Sequence, residues 1–297
     1  MEGISVIIPT YNRETYIGKA IESILIQDYQ GQVEIIISDD GSRDKTLAIA
    51  GSYDKDGIII LKKPRACTSQ GASGARNRGL EVASQPLICF LDSDDFYLPG
   101  HLKKMQKMLK SNSSLDFVLC RALQMDETRS KSLYRPWTKN LVEPVDLLNL
   151  SVSSNYFAHT NVFMFKKYIF DNVGRFNENI KVGEDSDMWI RINELYNCDF
   201  SDHFGAVIRK HGMEQLTDLP KKSLLKGHYY VFSTALKRYY KLNRKDAFRF
   251  KKLLVLSTKY KLSQWPFFSL LYMLAYKANV KKQANLDDWH PLSFYLR

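Results

Sequence analysis

The sequence predicts an α/β fold in which a mostly parallel sheet is covered by helices. Its first half alternates short, β-branched apolar runs with amphipathic stretches of helical period, which is the pattern of repeated βαβ units. The apolar runs show no polar alternation, as expected of strands that are buried on both faces. A polar turn follows each of these runs, and this predicts a ligand site at the carboxyl ends of the strands.

The individual elements follow from these patterns in chain order. Strands are predicted at residues 4–9, 33–38, 57–61 and 87–91, and helices at residues 16–27, 45–51, 72–83 and 98–109. Beyond residue 114 the alternation weakens, with one strand predicted within 115–123, and a strand and short helix that end at Gly174. A further helix is predicted behind Gly183, where Met188, Trp189 and Ile192 have helical spacing.

Composition indicates a globular protein of one large or two modest domains, with 297 residues of which 44% are hydrophobic. No run of about twenty apolar residues occurs, and the first residues lack the basic and long apolar parts of a signal peptide, so we expect a cytoplasmic protein. The cysteines are scattered without a C-x-x-C pair, which argues against a zinc site and against a disulfide framework. They are Cys67, Cys89, Cys120 and Cys198.

The positive charge of the chain is concentrated towards its C-terminal end. The formal net charge is +11, and basic residues recur from Lys221 onward in stretches that also carry Tyr, Phe and Trp. We therefore predict a first domain at residues 1–219, which contains the βαβ units, and a basic, amphipathic helical region at residues 220–297. Such helices either bind an anionic membrane surface, at the inner face of the plasma membrane, or pack on the first domain with solvated lysines.

The turns behind the first four strands hold the candidate ligand-binding residues. They read PTYNR, DDGS, the glycine-rich SQGASGARNRG, and DSDD. Since the carboxyl ends of parallel strands meet at one edge of a sheet, these turns should lie side by side. Neither G-x-G-x-x-G behind the first strand nor G-x-x-x-x-G-K-[ST] is present, so the dinucleotide fingerprint and the P-loop are not predicted.

Two acidic clusters indicate the chemistry. Asp92, Asp94 and Asp95 follow the fourth strand, and Glu184 and Asp185 stand at the predicted start of a helix. Carboxylate oxygens are the protein ligands that Mg²⁺ and Mn²⁺ prefer, and the diphosphate of a substrate would supply the remaining ligands of the ion. Asp94 would then bind the metal, and Asp92 would accept a hydrogen bond from a sugar hydroxyl. Asp185 would accept a proton from the attacking hydroxyl. The alternative is that these acids only cap turns and helices, as Asp-Gly does in DDGS.

Five segments together resemble the family 2 glycosyltransferases, which have the Rossmann-like GT-A fold with a mixed sheet. They lie in the same order and spacing over about residues 3–212, and the chain beyond about Pro220 has no counterpart. No QxxRW motif is present, so the resemblance implies single addition rather than polymerisation. The segments are SVIIPTYNR, ISDDGSRDKT, GASGARNRGL, FLDSDDFYLP and GRFNENIKVGEDSDMWIRI.

The resemblance implies a role for individual residues. In the nucleotide-sugar site, Tyr11 would lie against the base and Asp40 would accept a hydrogen bond from it. In the D-x-D motif, Asp92 would face the ribose and Asp94 the metal, with help from Asp95. Asp185 matches the general base, and Glu184 would shape the acceptor site. Pro9 and Arg13 would lie by the base, and Arg76 would contact the nucleotide or its phosphates. His211 and Arg209 would lie by the diphosphate, and His211 would also be a metal ligand.

The function expected on these grounds is inverting transfer of a sugar, by single displacement, from a nucleotide-diphosphate sugar such as a UDP-sugar. The acceptor would be a cell-surface glycan or a lipid-linked molecule, and the cofactor Mn²⁺ or Mg²⁺. Two alternatives stay open. The same fold and aspartates could serve a nucleotidyltransferase, and the basic charge could belong to a non-catalytic protein that binds nucleic acid or membranes. The acidic turns would repel a nucleic acid, so none is expected as a partner.

Overall fold

The computed structural model describes residues 1–53, 57–64, 71–128, 133–136, 159–213 and 221–241. The strands in these ranges form one mixed sheet. They are β1 (Ile4–Thr10), β2 (Val33–Asp39), β3 (Ile58–Lys62), β4 (Leu87–Phe90), β5 (Phe96–Tyr97), β6 (Phe117–Asp126), β7 (Leu133–Pro136), β8 (Phe163–Lys166) and β9 (Cys198–Lys210). The helices are α1 (Ile17–Leu25), α2 (Thr46–Gly51), α3 (Gly71–Val82), α4 (His101–Ser111), α5 (Tyr168–Val173), α6 (Glu184–Asn193) and α7 (Lys221–Lys241).

The strand order is β3-β2-β1-β4-β8-β6-β9-β5, and β7 pairs with β6. β3, β2, β1 and β4 are mutually parallel, so the α/β prediction for the first half of the chain is confirmed. β8 then pairs antiparallel with both β4 and β6, while β9 runs parallel to β6. The sheet is therefore mixed, as the GT-A resemblance implies.

The parallel strands are buried because helices cover them. Every residue of β1 and β4 is buried, which agrees with their continuous apolar runs. Helix α3 approaches β1 so closely that a Cβ atom on Gly79 would overlap the Ile7 side chain. This packing places the N-terminal part of α3, with its small residues, next to the turns at the carboxyl end of the sheet.

The structure differs from the predicted elements in several places. The helix expected from residue 98 begins at His101, because Phe96 and Tyr97 pair with β9 and keep the chain extended. Strand β9, thirteen residues long, was not predicted, since its first half carries Asp199, Ser201 and Asp202 and lacks an apolar run. The helix predicted from Glu184 is confirmed, and so is a helix within 221–241, whereas the helices predicted beyond residue 241 fall outside the described residues.

The chain forms two compact units. Among the described residues, the first unit comprises the whole sheet and lies within 1–136, 159–178 and 192–213. The second comprises 179–191 and 221–241, which contain most of α6 and all of α7. In the second unit α7 packs on the segment before α6, where a Cβ atom on Gly227 would lie 2.5 Å from the Val182 carbonyl oxygen.

Candidate active site

The turns behind β1 and β2 are joined by hydrogen bonds. Asn12 has a left-handed backbone (φ 49°), and its N–H donates to Ser42 Oγ at 2.9 Å. Its side-chain oxygen in turn accepts from the Arg43 N–H at 2.8 Å. The next residue, Arg13, donates its N–H to Thr46 Oγ1 at 2.7 Å. The two turns therefore form one ordered rim at the carboxyl end of the sheet.

The adjacent acids of DDGS have different partners. Asp39 is buried and accepts from the N–H groups of Gly41 and Ser42, at 2.9 Å and 3.0 Å to Oδ2, so it shapes the turn. Asp40 points out of that turn, where Arg78 donates to Oδ1 at 2.9 Å and Lys63 Nζ lies 3.5 Å away. Asp40 is thus the acid of this pair that lies among cations.

Asp94 lies between two nitrogen donors. Its Oδ2 atom is 3.2 Å from Arg13 Nε and 3.1 Å from His211 Nε2. Burial would raise the pKa of Asp94, but the hydrogen bond from His211 and the positive charge of Arg13 outweigh it and lower that pKa. Asp94 is therefore a carboxylate at neutral pH.

His211 carries its proton towards Asp94. The Met213 N–H donates to His211 Nδ1 at 3.2 Å, so the proton of a neutral ring lies on Nε2. The ring stacks on Tyr16 at a centroid distance of 4.4 Å, and the Arg209 guanidinium lies 4.9 Å from the centroid of Tyr16. His211, predicted as a metal ligand, is thus oriented by a backbone donor and by an aromatic face.

Asp95 is fully enclosed and forms hydrogen bonds within the protein. It accepts from Asn161 Nδ2 at 2.6 Å and from the Arg209 N–H at 2.7 Å. Burial, followed by the charges of Asp94 and Asp92, raises the pKa of Asp95 well above its usual range. These two hydrogen bonds tie the turn to β9 and to the segment before β8, so Asp95 supports the shape of the turn.

Asp92 is held by a buried arginine. Arg76, on α3, donates to Asp92 Oδ1 at 2.9 Å, and its guanidinium carbon lies 5.5 Å from the centroid of the Phe176 ring. On the other side, His159 Nε2 is 3.8 Å from Asp92 Oδ2. In this structure Arg76 therefore contacts Asp92 of the DSDD turn.

Pro9 and Tyr11 flank the first turn. Pro9 is buried within β1 and pairs in register with Ser38, while Tyr11 is 50% exposed at the rim. An exposed aromatic ring beside an ordered turn offers a flat surface for a nucleobase. Tyr11 is therefore accessible to a ligand, whereas Pro9 is part of the buried sheet.

Glu184 and Asp185 belong to the second unit and begin α6. Glu184 is buried, whereas Asp185 is partly exposed and accepts from the Ser186 N–H at 2.6 Å. Asp187 is buried between Arg191 and Arg238, at 2.9 Å and 3.2 Å. Of these acids Asp185 is the most accessible, which is what a proton acceptor for a substrate requires.

The DSDD turn contains groups that could hold a divalent ion. Asp94 Oδ2 and His211 Nε2 are 3.1 Å apart, close to the roughly 3 Å between neighbouring ligands on an octahedral ion with bonds of about 2.1 Å. Asp92, Asp95 and His159 also place their ligand atoms within 4.8 Å of one another. Carboxylate oxygens suit Mn²⁺ and Mg²⁺. The charged carboxylate of Asp94 therefore fits such an ion, whereas His211 would have to release its Nε2 proton to bind the ion beside it.

Three residues of this site were not predicted. Asn161 donates to Asp95 and accepts from the Asp92 N–H at 2.8 Å, His159 lies beside Asp92, and Arg78 pairs with Asp40. The polar triplet His-Thr-Asn directly before the apolar run of β8 was the available signal for the first two. Arg78 lies in the glycine-rich segment that was already singled out.

Comparison with known proteins places this geometry in context. The model of the family described as Glycosyl transferase family 2 matches residues 5–174. The GalNAc(5)-diNAcBac-PP-undecaprenol beta-1,3-glucosyltransferase of Campylobacter jejuni is 33% identical over 195 residues, which cover 65% of this chain and 60% of that protein. The chain thus spans about 60% of the length of the curated relatives it matches, as it also does for two Rickettsia proteins.

Solved structures share the fold at low sequence identity. Residues 1–349 of TarS from S. aureus superpose with a TM-score of 0.67 and 22% identity, covering 89% of this chain and 72% of that one. The same TarS residues in complex with UDP-GlcNAc give a TM-score of 0.64 at 20% identity, covering 90% and 73% of the two chains. The mannosyltransferase PcManGT of Pyrobaculum calidifontis, in complex with GDP-Man and Mn²⁺, gives 0.56 at 18% identity and covers 99% and 78%.

Proposed function

Because the chain belongs to glycosyl transferase family 2, we propose that it transfers a sugar from a nucleotide-diphosphate sugar to a hydroxyl of a glycan or lipid-linked acceptor. The observation that carries this proposal is the DSDD turn, where Asp94 is kept ionised beside Arg13 and His211 at the carboxyl end of β4. A turn with this charge pattern, at this edge of an α/β sheet, suits a cation and a diphosphate. The family match favours glycosyl transfer over nucleotidyl transfer.

The donor would lie along the ordered rim. Tyr11 offers its exposed ring to the base, and Asp40 accepts from the base N–H. Asp92 faces the ribose, and Arg76 holds Asp92 in place for that contact. A UDP-sugar is the proposed donor, supported by the shared fold of TarS in complex with UDP-GlcNAc.

Asp94 and His211 would hold Mn²⁺ or Mg²⁺. The bound ion would neutralise charge on the leaving diphosphate. Arg13 contributes to the same charge balance, since its guanidinium already contacts the carboxylate of Asp94. These residues thereby stabilise the departing nucleotide diphosphate.

Asp185 would act as the general base. Its carboxylate accepts the proton of the acceptor hydroxyl while that oxygen attacks the anomeric carbon from the face opposite the nucleotide. The result is one displacement with inversion, and Glu184 would shape the acceptor side.

The acceptor and its location form the last part of the proposal. The Campylobacter relative is named for an undecaprenol-linked acceptor, which supports a lipid-linked one here. We propose that the basic region from residue 220 binds the anionic inner face of the plasma membrane from the cytoplasmic side. Within the described residues, no helix is both long enough and apolar enough to cross a bilayer.

The stereochemistry of donor hydrolysis tests the proposal without knowledge of the acceptor. The chain is incubated with an α-linked UDP-sugar and Mn²⁺, and NMR follows the first sugar released. We expect the β anomer to be released first. In Asp185→Asn the rate of donor hydrolysis should be at least tenfold lower, because loss of a general base typically lowers the rate about 10²–10⁴-fold. Asp28→Asn, on an exposed residue paired with Lys103, should retain the rate. Release of the α anomer first would contradict inversion.

A further inference from the structure

A second group of metal-binding side chains lies in the first unit, on elements that do not carry the DSDD turn. It consists of His101 at the start of α4, Cys120 on β6 and His203 on β9. We propose that these three residues form a binding site for Zn²⁺, with water as the fourth ligand. This site is separate from the donor site and does not depend on the proposed function.

The distances between ligand atoms fit a tetrahedral ion. His101 Nδ1 lies 3.4 Å from His203 Nε2 and 3.8 Å from Cys120 Sγ, and all three atoms fall within 4.8 Å of one another. With Zn–N bonds of about 2.0–2.1 Å and a Zn–S bond of about 2.3 Å, neighbouring ligands would be roughly 3.3 Å (N to N) and 3.6 Å (N to S) apart. Two edges of the tetrahedron are thus nearly formed.

The strand that carries His203 is bent to bring it inward. Between β6 and β9 the register shifts, so that Cys120 pairs with Ser201 but Arg121 pairs with Phe204. Asp202 and His203 are therefore the extra residues of a bulge, a feature that re-aims side chains. Asp202 turns outward to pair with Arg121, which leaves His203 beside His101.

The ring of His203 is oriented as a ligand. Ser201 Oγ lies 2.8 Å from His203 Nδ1, which orients the ring with Nε2 towards the cluster, as outer partners of metal-binding histidines do.

The backbone of β9 passes close to the cluster. A Cβ atom on Gly205 would overlap both His101 Nδ1 and Cys120 Sγ, so glycine at this position lets the two proposed ligand atoms keep their places.

The cysteine pattern of the sequence argued against a zinc site because no C-x-x-C pair occurs. That argument concerns ligands that are close in sequence, whereas these three are separated by 19 and 102 positions and meet only in the folded sheet. The prediction of scattered core cysteines still applies to Cys89, which is buried and free.

Cobalt substitution tests this site in the full-length chain. Metal-free protein is titrated with Co²⁺, which occupies zinc sites and reports a bound thiolate through charge-transfer absorption in the near ultraviolet. We expect this absorption to saturate at one equivalent and to disappear when Zn²⁺ is added. Ser201→Ala should weaken binding roughly 10–100-fold, the usual effect of removing an outer partner.

Matched variants decide where the ion binds. The absorption should be lost in Cys120→Ala and His203→Ala, and retained in Cys198→Ala and Asp94→Asn, with circular dichroism confirming that each variant is folded. His203 is only half-buried, so its variant should fold even if Cys120→Ala does not. Absence of the absorption in the wild type, or its persistence in folded His203→Ala, would overturn the proposal.

Discussion

Three carboxylates in one turn repel each other, and in the DSDD turn each is bound by a separate partner. Arg13 and His211 contact Asp94, Arg76 contacts Asp92, and Asp95 takes two N–H donors. The pKa of Asp94 is lowered and that of Asp95 is raised, so a charged, partly exposed acid lies beside a fully buried one that supports the turn.

Asn161 is the residue that holds this turn in shape, so its removal should be felt at the donor site. In Asn161→Ala the Asp92 N–H and the Asp95 carboxyl lose a partner, which should cost about 1–3 kcal/mol of unfolding free energy. We expect donor affinity to fall at least tenfold, measured by calorimetry at a temperature where the variant is folded.

The matched control is Asn172→Ala, which removes an exposed amide hydrogen-bonded to Tyr196. It should leave donor affinity unchanged. Equal donor affinity in folded Asn161→Ala and in the wild type would show that the turn does not need this amide.

At the scale of elements, strand pairing explains which parts of the site the sequence predicts. The aspartates and glycines follow directly from the turns behind continuous apolar strands. Asn161 could not be placed in this way, because it reaches Asp92 only through the antiparallel pairing of β8 with β4, where Met164 lies opposite Cys89. Arg209 reaches Asp95 in the same manner, through the pairing of β9 with β5.

Strand β9 illustrates the limit of pattern reasoning. Its first half is polar and interrupted by the bulge opposite Cys120 and Arg121, so no period of two is visible in the sequence. The two-residue strand β5 was hidden for another reason, since Phe96 and Tyr97 adjoin a helix-like stretch. Both depend on contacts distant in sequence, which no local pattern encodes.

Helix α7 supports the segment that carries Asp185. Arg238 donates to Asp187, Val231 lies near Gly183, and Gly227 permits the close approach to Val182. All these contacts lie within the second unit. The first helix of the basic region is thus more than a surface appendage, because it positions the start of α6.

Loss of the Arg238 contact should therefore affect chemistry more than donor binding. In Arg238→Ala we expect kcat to fall about tenfold, equivalent to ~1.4 kcal/mol, with the donor KM unchanged. The neighbouring exposed residue provides the control, and Lys237→Ala should retain both constants. An increase in donor KM with kcat unchanged would assign Arg238 to donor binding instead.

At the scale of the whole molecule, the net charge of +11 sets an expectation for membrane binding. Full-length protein should sediment with vesicles that contain anionic phosphatidylglycerol and dissociate as salt is raised, since each basic residue near the surface contributes about 1 kcal/mol. Replacing Lys251, Lys252, Lys281 and Lys282 with Glu should reduce the bound fraction. Equal binding of this variant, or of neutral vesicles, would rule out electrostatic docking by this region.

We propose above all that the DSDD turn binds a metal and a nucleotide diphosphate. The most direct measurement is a thermal-shift screen of UDP-, GDP-, dTDP- and CMP-sugars, each with Mn²⁺ or with EDTA. A ligand that binds only the folded chain stabilises it, by about 2.7 kcal/mol at a hundred times Kd.

The screen is run on wild type, Asp94→Asn and Asp28→Asn. We expect a rise in melting temperature with one donor class that requires Mn²⁺, is lost in Asp94→Asn and persists in Asp28→Asn. A donor shift that survives both EDTA and Asp94→Asn would contradict the proposal.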